Sequence, residues 1–472
     1  MSTAVNPYLP LWEFVPDGEP KVFEGRIYIY GSHDSAGGTT YCEEDYVCWS
    51  APTEDLGDWR WEGIIFRKNQ IPENGDGKKL MFAPDVVQGM DGRYYLYFGT
   101  SKVDYIEVAV SDNPAGPFEY YGRVLDEEGR SPAGLAFDPG VLAEEGKVYL
   151  YYGFSPKAEI PGMNIKVQEA SYMVELASDM KTVISKPVAI ANGFVSAKGT
   201  SFEKHPFFEA SSIRHYGEKY YFIYSSFQGH ELCYAMADSP AGPFEYGGVI
   251  ISNGDIGITE KQRAYDANNH GSIVEVNGQY YIFYHRHTHG THFSRQGCAE
   301  KIRIQKDGKI PQVEMTSCGL NCGALPAARD YSFGIVCNLQ GPKGACHIPS
   351  RPPYDESVPY VAMEKPEEKK EENIYLKNMQ NQSCCGIKYI LFSGENRISV
   401  MARGDAGVIK VYIDSLENRS VVVIKKENYT KEWKEITGSM KALEGIHAVY
   451  FRIESEQNAV IDLKKFRFSI SE

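Results

Sequence analysis

The sequence predicts an all-β protein: a β-propeller carrying five repeated hairpins, followed by a second all-β unit. Three observations predict it. Aromatic, strand-like runs preceded by a turn glycine recur five times at intervals of roughly 55 to 70 residues, the scale of a four-stranded propeller blade. A second segment, SDNPAGPFEY at 111–120, returns as DSPAGPFEY at 238–246, as the outer hairpins of two blades would. Past Glu314 the texture changes to Cys, Gly, Pro and charge, and alternating apolar patterns resume from Asn373.

The repeat is clearest at Phe137-Asp138-Pro139-Gly140-Val141-Leu142. A turn follows at Glu144-Glu145-Gly146, and the chain returns as Lys147-Val148-Tyr149-Leu150-Tyr151-Tyr152. A polar residue opens a short strand, a glycine turn reverses it, and an aromatic strand runs back. Counting eight residues back from each turn glycine gives Asp17 from Gly25, Pro84 (with Asp85 next) from Gly92, Asp138 from Gly146, Glu209 from Gly217 and His270 from Gly278. The first strand of each propeller blade lines the axis, so Asp17, Asp138, Glu209 and His270 are expected to face one another across a single pocket.

At 472 residues the chain exceeds one ordinary core. We place the propeller at 1–314 and the second unit at 315–472. A net charge of −14 argues against nucleic acid and anionic membranes as partners. Residues 1–10 show neither a basic n-region nor an apolar h-region, and no run of 18 apolar residues occurs, so a cytoplasmic location is expected. With no export signal, the ten cysteines read as reduced thiols. Cys318, Cys322, Cys337, Cys346 and His347 match no common zinc spacing, and the charged run at 364–372 reads as a solvated loop.

Carboxylates at the mouth of a channel rich in Tyr and Trp suit cleavage of a glycosidic bond. That reaction needs one carboxylic acid to protonate the leaving oxygen and one carboxylate to activate water or attack the sugar. A third carboxylate raises the pKa of the acid by like-charge repulsion. A lone Asp at a strand start is more often a turn cap; repetition at one position in different blades argues against that for the set. A non-catalytic glycan-binding propeller is the alternative, and it expects carboxylates too far apart or too well paired for acid/base work.

Four motifs in order resemble glycoside hydrolase family 43. They are Asn6-Pro7-Tyr8-Leu9-Pro10 leading to Pro16-Asp17-Gly18-Glu19, then Phe82-Ala83-Pro84-Asp85-Val86, Phe137-Asp138-Pro139-Gly140-Val141 and Phe207-Phe208-Glu209-Ala210-Ser211. The resemblance covers residues 6–314. It implies a five-bladed β-propeller and inverting exo-hydrolysis of arabinofuranosyl or xylosyl linkages in hemicellulose-derived oligosaccharides. The opening strand and the Phe-Glu-Ala-Ser motif look more like arabinofuranose-releasing members. Carried over, Asp17 is the general base, Asp138 the carboxylate that orients and tunes the acid, and Glu209 the general acid. The family usually has Pro directly after the base, whereas Gly18 follows Asp17; Glu19, before Pro20, is therefore a rival. The shared eight-residue count favours Asp17.

His270 matches an axial histidine that the family often places beside a largely water-held Ca2+. Calcium prefers oxygen donors, so a core histidine is the equal alternative. Alternation puts His285, His287 and His289 on one strand face, and His287 with Arg295 is expected to wall the sugar pocket. Trp12 is expected either to stack on a sugar ring or to pack in the core, and Asp85 to hydrogen-bond a sugar hydroxyl. The second unit, a β-sandwich, is similar in pattern to a family 6 carbohydrate-binding module; Tyr389 and Trp433 read as core aromatics before glycan binders, and the resemblance also allows the unit to pack on the propeller and shape the pocket rim.

Overall fold

The computed structural model describes residues 4–160, 165–351, 354–355 and 357–471. Five antiparallel sheets follow one another along the chain, and in each the strands pair in chain order. The first sheet comprises Glu19–Phe23, Arg26–Tyr30, Tyr46–Pro52 and Arg60–Phe66; the second Met81–Gln88, Tyr94–Thr100, Ile106–Ser111 and Glu119–Arg123. The third comprises Gly140–Glu144, Lys147–Tyr152, Ala170–Leu176 and Val188–Asn192; the fourth Phe207–Tyr216, Lys219–Ser226, Glu231–Ala237 and Glu245–Ser252. The fifth has three strands, Ile273–Val276, Gln279–His287 and Arg295–Ile302.

The predicted hairpin turns form where the glycines stand. Glu24-Gly25, Glu145-Gly146 and Asn277-Gly278 are two-residue loops with both residues at positive φ (50 and 75°, 49 and 78°, 50 and 80°), the turn whose twist matches the flanking strands. The repeated PAGPF segments join the third and fourth strands of the second and fourth sheets, as outer hairpins.

Five apolar clusters join the sheets in pairs, and the last closes a ring. Tyr30 and Tyr46 pack with Leu96 and Phe98 between the first and second sheets, and Tyr97 and Val108 with Leu150 and Val174 between the second and third. Tyr151 and Met173 pack with Phe222 and Tyr224, then Ile223 and Tyr234 with Ile282 and Tyr284. Finally Ile27, Val47 and Trp49 of the first sheet meet Val276, Tyr281 and Phe283 of the fifth. This arrangement explains the unbroken aromatic runs. In Tyr94-Tyr95-Leu96-Tyr97-Phe98, residues 94, 96 and 98 face one neighbouring sheet and 95 and 97 the other, so a strand covered on both faces needs no polar alternation. The architecture is a β-propeller.

The fifth sheet lacks a fourth strand, and the opening segment covers its edge. Tyr8 N donates to Gly297 O at 3.3 Å, and Asn6 Oδ1 accepts from Ala299 N at 2.9 Å while its Nδ2 donates to Ala299 O at 3.0 Å. The opening motif therefore closes the ring.

After Ile302 the chain builds two further six-stranded sheets that share one core. Ile387, Val411, Val449 and Phe451 come from one, Leu376, Val400, Leu463 and Phe466 from the other. The second unit is fastened to the ring. Arg286 donates to Val336 O at 2.7 Å, Lys388 Nζ lies 3.2 Å from Asp255 and 2.9 Å from Glu314, and Leu11 of the opening segment is buried in the second core.

Truncating Leu11 to Ala removes an anchor from that core, and large-to-small changes at buried leucines cost about 2–5 kcal/mol. Chemical denaturation should show the transition of the C-terminal unit moved to lower denaturant. An unmoved transition would mean that Leu11 is not part of that core in solution.

Candidate active site

Asp17, Asp138, Glu209 and His270 line one cavity of about 540 Å3 at the mouth of the axis. The eight-residue register brings them together. Asp17 and Asp138 stand two residues before their strands, each at positive φ (57° and 45°), and Glu209 lies within Phe207–Tyr216 between register shifts that turn its carboxyl toward the mouth. Close approach of neighbouring first strands needs Gly140: a Cβ there would lie 2.6 Å from Ser211 O. That contact brings the Asp138 Oδ2 within 2.9 Å of the Ala210 amide, which donates to it.

Arg295, 2 % exposed, is the electrostatic centre. Its Nη1 donates to Asp17 Oδ1 at 2.8 Å, while Nε and Nη2 clasp Asp34 at 2.8 and 3.0 Å. Its guanidinium also lies 5.0 Å over the Tyr41 ring. His285 Nε2 donates to Asn268 O at 2.9 Å, which leaves Nδ1 to accept the Asp17 amide at 3.4 Å. Burial alone would raise the Asp17 carboxyl, but Arg295, with His285 and His270, holds it well below the usual carboxylate range.

Glu209 goes the other way. Burial, then the Asp17 charge, pushes its carboxyl up to about 8 against the weaker pull of Arg295. Among the described residues no side chain hydrogen-bonds it, and it faces the cavity. Burial and the charges of Glu209 and Asp17 likewise raise Asp138 well above the ordinary range. His270, whose Nδ1 is 3.6 Å from Asp138 Oδ2, is lowered to about 4 by burial and is neutral at physiological pH.

Glu19, the rival to Asp17, sits two residues further on, where the strand begins, about 7 Å away by strand rise. It lies outside the cavity and is bound to Arg214 at 2.6 Å. Three other expected residues are placed away from the pocket. Asp85 follows the counted position by one, so it points to the opposite side of its strand. There it pairs with Lys21 at 2.8 Å and accepts the Val141 amide at 2.8 Å, fully buried. Trp12 packs 5.9 Å from Trp49 under Lys369, against the cluster between the first and fifth sheets. His287 lies two places beyond His285, so it reaches behind Asn268, touching its Oδ1 at 3.0 Å, and lines a separate cavity of about 40 Å3.

Arg295 lines the pocket as expected, and most of the remaining wall comes from residues given no role from the sequence. One wall is apolar, built from Phe82, Phe137, Phe154, Phe208, Ile165 and Phe227; the other is polar, built from Tyr41, Asn268, His292 and Arg295. Phe137 and Phe208 each directly precede a counted carboxylate, a signal present in the repeat. Asp34, Tyr41 and His292 sit in loops with no such periodic mark.

The surroundings of His270 do not fit a protein-held calcium. Calcium needs six to eight oxygen donors. Here a nitrogen faces one carboxylate oxygen already taken by an amide, and the Asp17 Oδ1 is taken by Arg295. Among the described residues the one cluster of three potential metal-ligating side chains is His205, Glu231 and Cys233, in the fourth sheet and its approach. The thiols Cys318, Cys322, Cys337 and Cys346 are free and form no such cluster among the described residues.

A propeller whose axial pocket sets an ionised carboxylate against a protonated one is built as a glycoside hydrolase. Comparison with known proteins agrees: residues 6–310 match the model of glycosyl hydrolases family 43, and the chain belongs to that family. A xylosidase/arabinosidase of Thermoclostridium stercorarium is 45% identical, covering 98% of both chains. A xylosidase/arabinosidase of Bacteroides ovatus is 30% identical over 65% of this chain and 97% of its own. Among solved structures, a family 43 β-xylosidase/α-arabinofuranosidase from a compost metagenome, crystallised with xylotriose in a calcium-free form, superposes with a TM-score of 0.52 at 27% identity, covering 66% of this chain and 98% of its own.

The raised Glu209 carboxyl has a stability consequence. Its folded pKa, about 8, exceeds the unfolded value near 4.3, so the folded state holds the proton more tightly and Glu209 disfavours folding progressively as pH rises from about 4 to 8. Glu209→Gln abolishes that titration. The melting temperature of the variant, relative to wild type, should rise between pH 5 and pH 8 and level off above; a difference that stays flat with pH would contradict the assignment.

Proposed function

We propose that the chain is an inverting exo-glycosidase that releases α-L-arabinofuranosyl residues from arabinoxylan-derived oligosaccharides. The observation that carries it is the convergence of Asp17, bound by Arg295, and Glu209, bound by no side chain among the described residues, on one pocket, an arrangement that favours an ionised Asp17 and a protonated Glu209. Glu209, protonated to about pH 8, gives its proton to the glycosidic oxygen as the C1–O bond breaks. Both Arg295 and His285 approach Asp17 at Oδ1, which leaves Oδ2 to take a proton from the water whose oxygen attacks C1 from the opposite face. Asp138, fixed by the Ala210 amide beside His270, is itself held protonated by burial and by the charges of Glu209 and Asp17, so it positions the acid while the charge that favours the protonated form of Glu209 is that of Asp17. The apolar wall suits the carbon face of a pentose, and the polar wall its hydroxyls. No step runs through a cation.

β-D-Xylosidase activity on the same site is the second reading, favoured by the double name of the 45% identical relative. A purely glycan-binding propeller is disfavoured by Glu209, which a binder would pair.

Turnover of p-nitrophenyl α-L-arabinofuranoside and β-D-xyloside, compared with Glu209→Ala, tests the reading and names the sugar. The rate should fall with rising pH through an alkaline limb near pH 8, the Glu209 value, and the acid limb should lie below the usual carboxylate range because Asp17 stays ionised. Anomeric NMR of the first product should show inversion. Absence of turnover in folded protein, or a variant as fast as wild type, overturns it.

A further inference from the structure

The polar rim of the pocket is completed by a segment that leaves the second unit. After the strand Asn338–Gln340, which pairs within one of the C-terminal sheets, the chain crosses to the pocket, where His347 and Ser350 line the same cavity as Asp17 and Glu209. The crossing is tightly held. Leu339 N donates to Arg263 O at 2.8 Å, and Ile348 N donates to Asp266 O at 2.8 Å. The Tyr265 hydroxyl accepts from Gly341 N at 2.8 Å and donates to Gly344 O at 3.1 Å, bracing the turn from beneath. Ile348 is buried against Tyr265 and Ala267.

The segment is also tied to the pocket floor. His292 Nε2 donates to Ile348 O at 2.6 Å, its Nδ1 meets the Tyr41 hydroxyl at 2.7 Å, and the Tyr41 ring lies under Arg295. His347 itself faces Asp266 with Nδ1, 3.2 Å from Oδ1, and its side chain is 55% exposed. With Asp266 facing Nδ1, Nε2 is left for another partner: it accepts a hydroxyl hydrogen when the ring is neutral and donates when the ring is protonated, the form that Asp266 favours.

We propose that His347, with Ser350 beside it, binds hydroxyls of the leaving-group sugar, so that a segment of the second unit builds the subsite beyond the scissile bond. The inference rests on the glycosidase reading above. The residue being released sits against the carboxylates, and a half-exposed imidazole lining the same cavity lies beyond it, where the rest of an oligosaccharide must pass. Such a contact sets preference for oligosaccharides over simple glycosides without touching the bond-breaking groups.

The test compares kcat/KM for a p-nitrophenyl glycoside, whose leaving group has no sugar hydroxyls, with that for a short xylo- or arabinoxylo-oligosaccharide. His347→Ala should lose about tenfold on the oligosaccharide, the worth of one good hydrogen bond, and less than about twofold on the aryl glycoside. His347→Gln, which keeps a donor, should recover part of the loss, and Tyr265→Phe, which unbraces the segment, should show the same selectivity. The aryl substrate reports whether each variant is folded and catalytically intact. Equal losses on both substrates, or none on the oligosaccharide, would overturn the subsite. Failure of wild-type protein on every glycoside would instead overturn the glycosidase reading, and the subsite with it.

Discussion

One buried guanidinium sets both the geometry and the electrostatics of this protein. Arg295 opens the last strand of the fifth sheet and reaches Asp17 and Asp34, 278 and 261 residues earlier in the chain. Removing such a cation from water is tolerable only when its donors are all used. Here three of its nitrogens bind carboxylates, and Cys42 Sγ lies 3.6 Å from one of them. The pairing thus adds a polar clasp to the apolar closure of the fifth sheet on the first. It also fixes the charge balance of the pocket. One cation serves two carboxylates and keeps Asp17 ionised, and the residual negative charge then works against ionisation of Asp138 and Glu209. Opposite protonation of chemically similar groups follows from one side chain being shared.

The ring makes this possible because its strength lies elsewhere. Strands covered on both faces take large aromatic residues throughout, and the five clusters between sheets bury Tyr, Phe, Ile and Val with no help from the axis. The first strands are therefore free to carry charge and glycine. Gly140, where a Cβ would fall 2.6 Å from Ser211 O, lets the first strands of the third and fourth sheets approach closely, so that Asp138 and Glu209 meet.

Periodicity explains how much of this could be read from the sequence. The turn glycines mark the register, and the register places Asp17, Asp138, Glu209 and His270 on the axis because all four stand in the same relation to a hairpin. The same logic shows why other expectations did not hold. Asp85 is one residue off the register, and one residue reverses the face of a strand. His287 is on the register of His285 but about 7 Å further along, which carries it behind Asn268. Trp12 was attractive only for its nearness in sequence to Asp17, and the chain turns between them. Asp34, Tyr41 and His292 come from loops, whose course depends on tertiary contacts and leaves no local trace. His347 stood out only as part of a cysteine-rich stretch whose spacing matched no common zinc site; its partner Asp266 lies 81 residues away and could not be paired with it by inspection.

Depth along the axis, rather than residue type, separates structural charge from reactive charge. Below the pocket, Glu19 pairs with Arg214 and Asp85 with Lys21, two anions with two cations, so that layer is neutral and closed. At the mouth, Asp17, Asp34, Asp138 and Glu209 share a single arginine, and His270 is too deeply desolvated to supply a second positive charge near neutral pH. The upper layer can be stable only if some of its carboxyls keep their protons. Glu209 is the one that keeps a proton while facing open space, and a proton held there against the field of its neighbours is the one available to a substrate oxygen. Glu19 and Asp17, two residues apart in the chain, therefore have different fates because one lies in the balanced layer and the other in the layer that is short of cations.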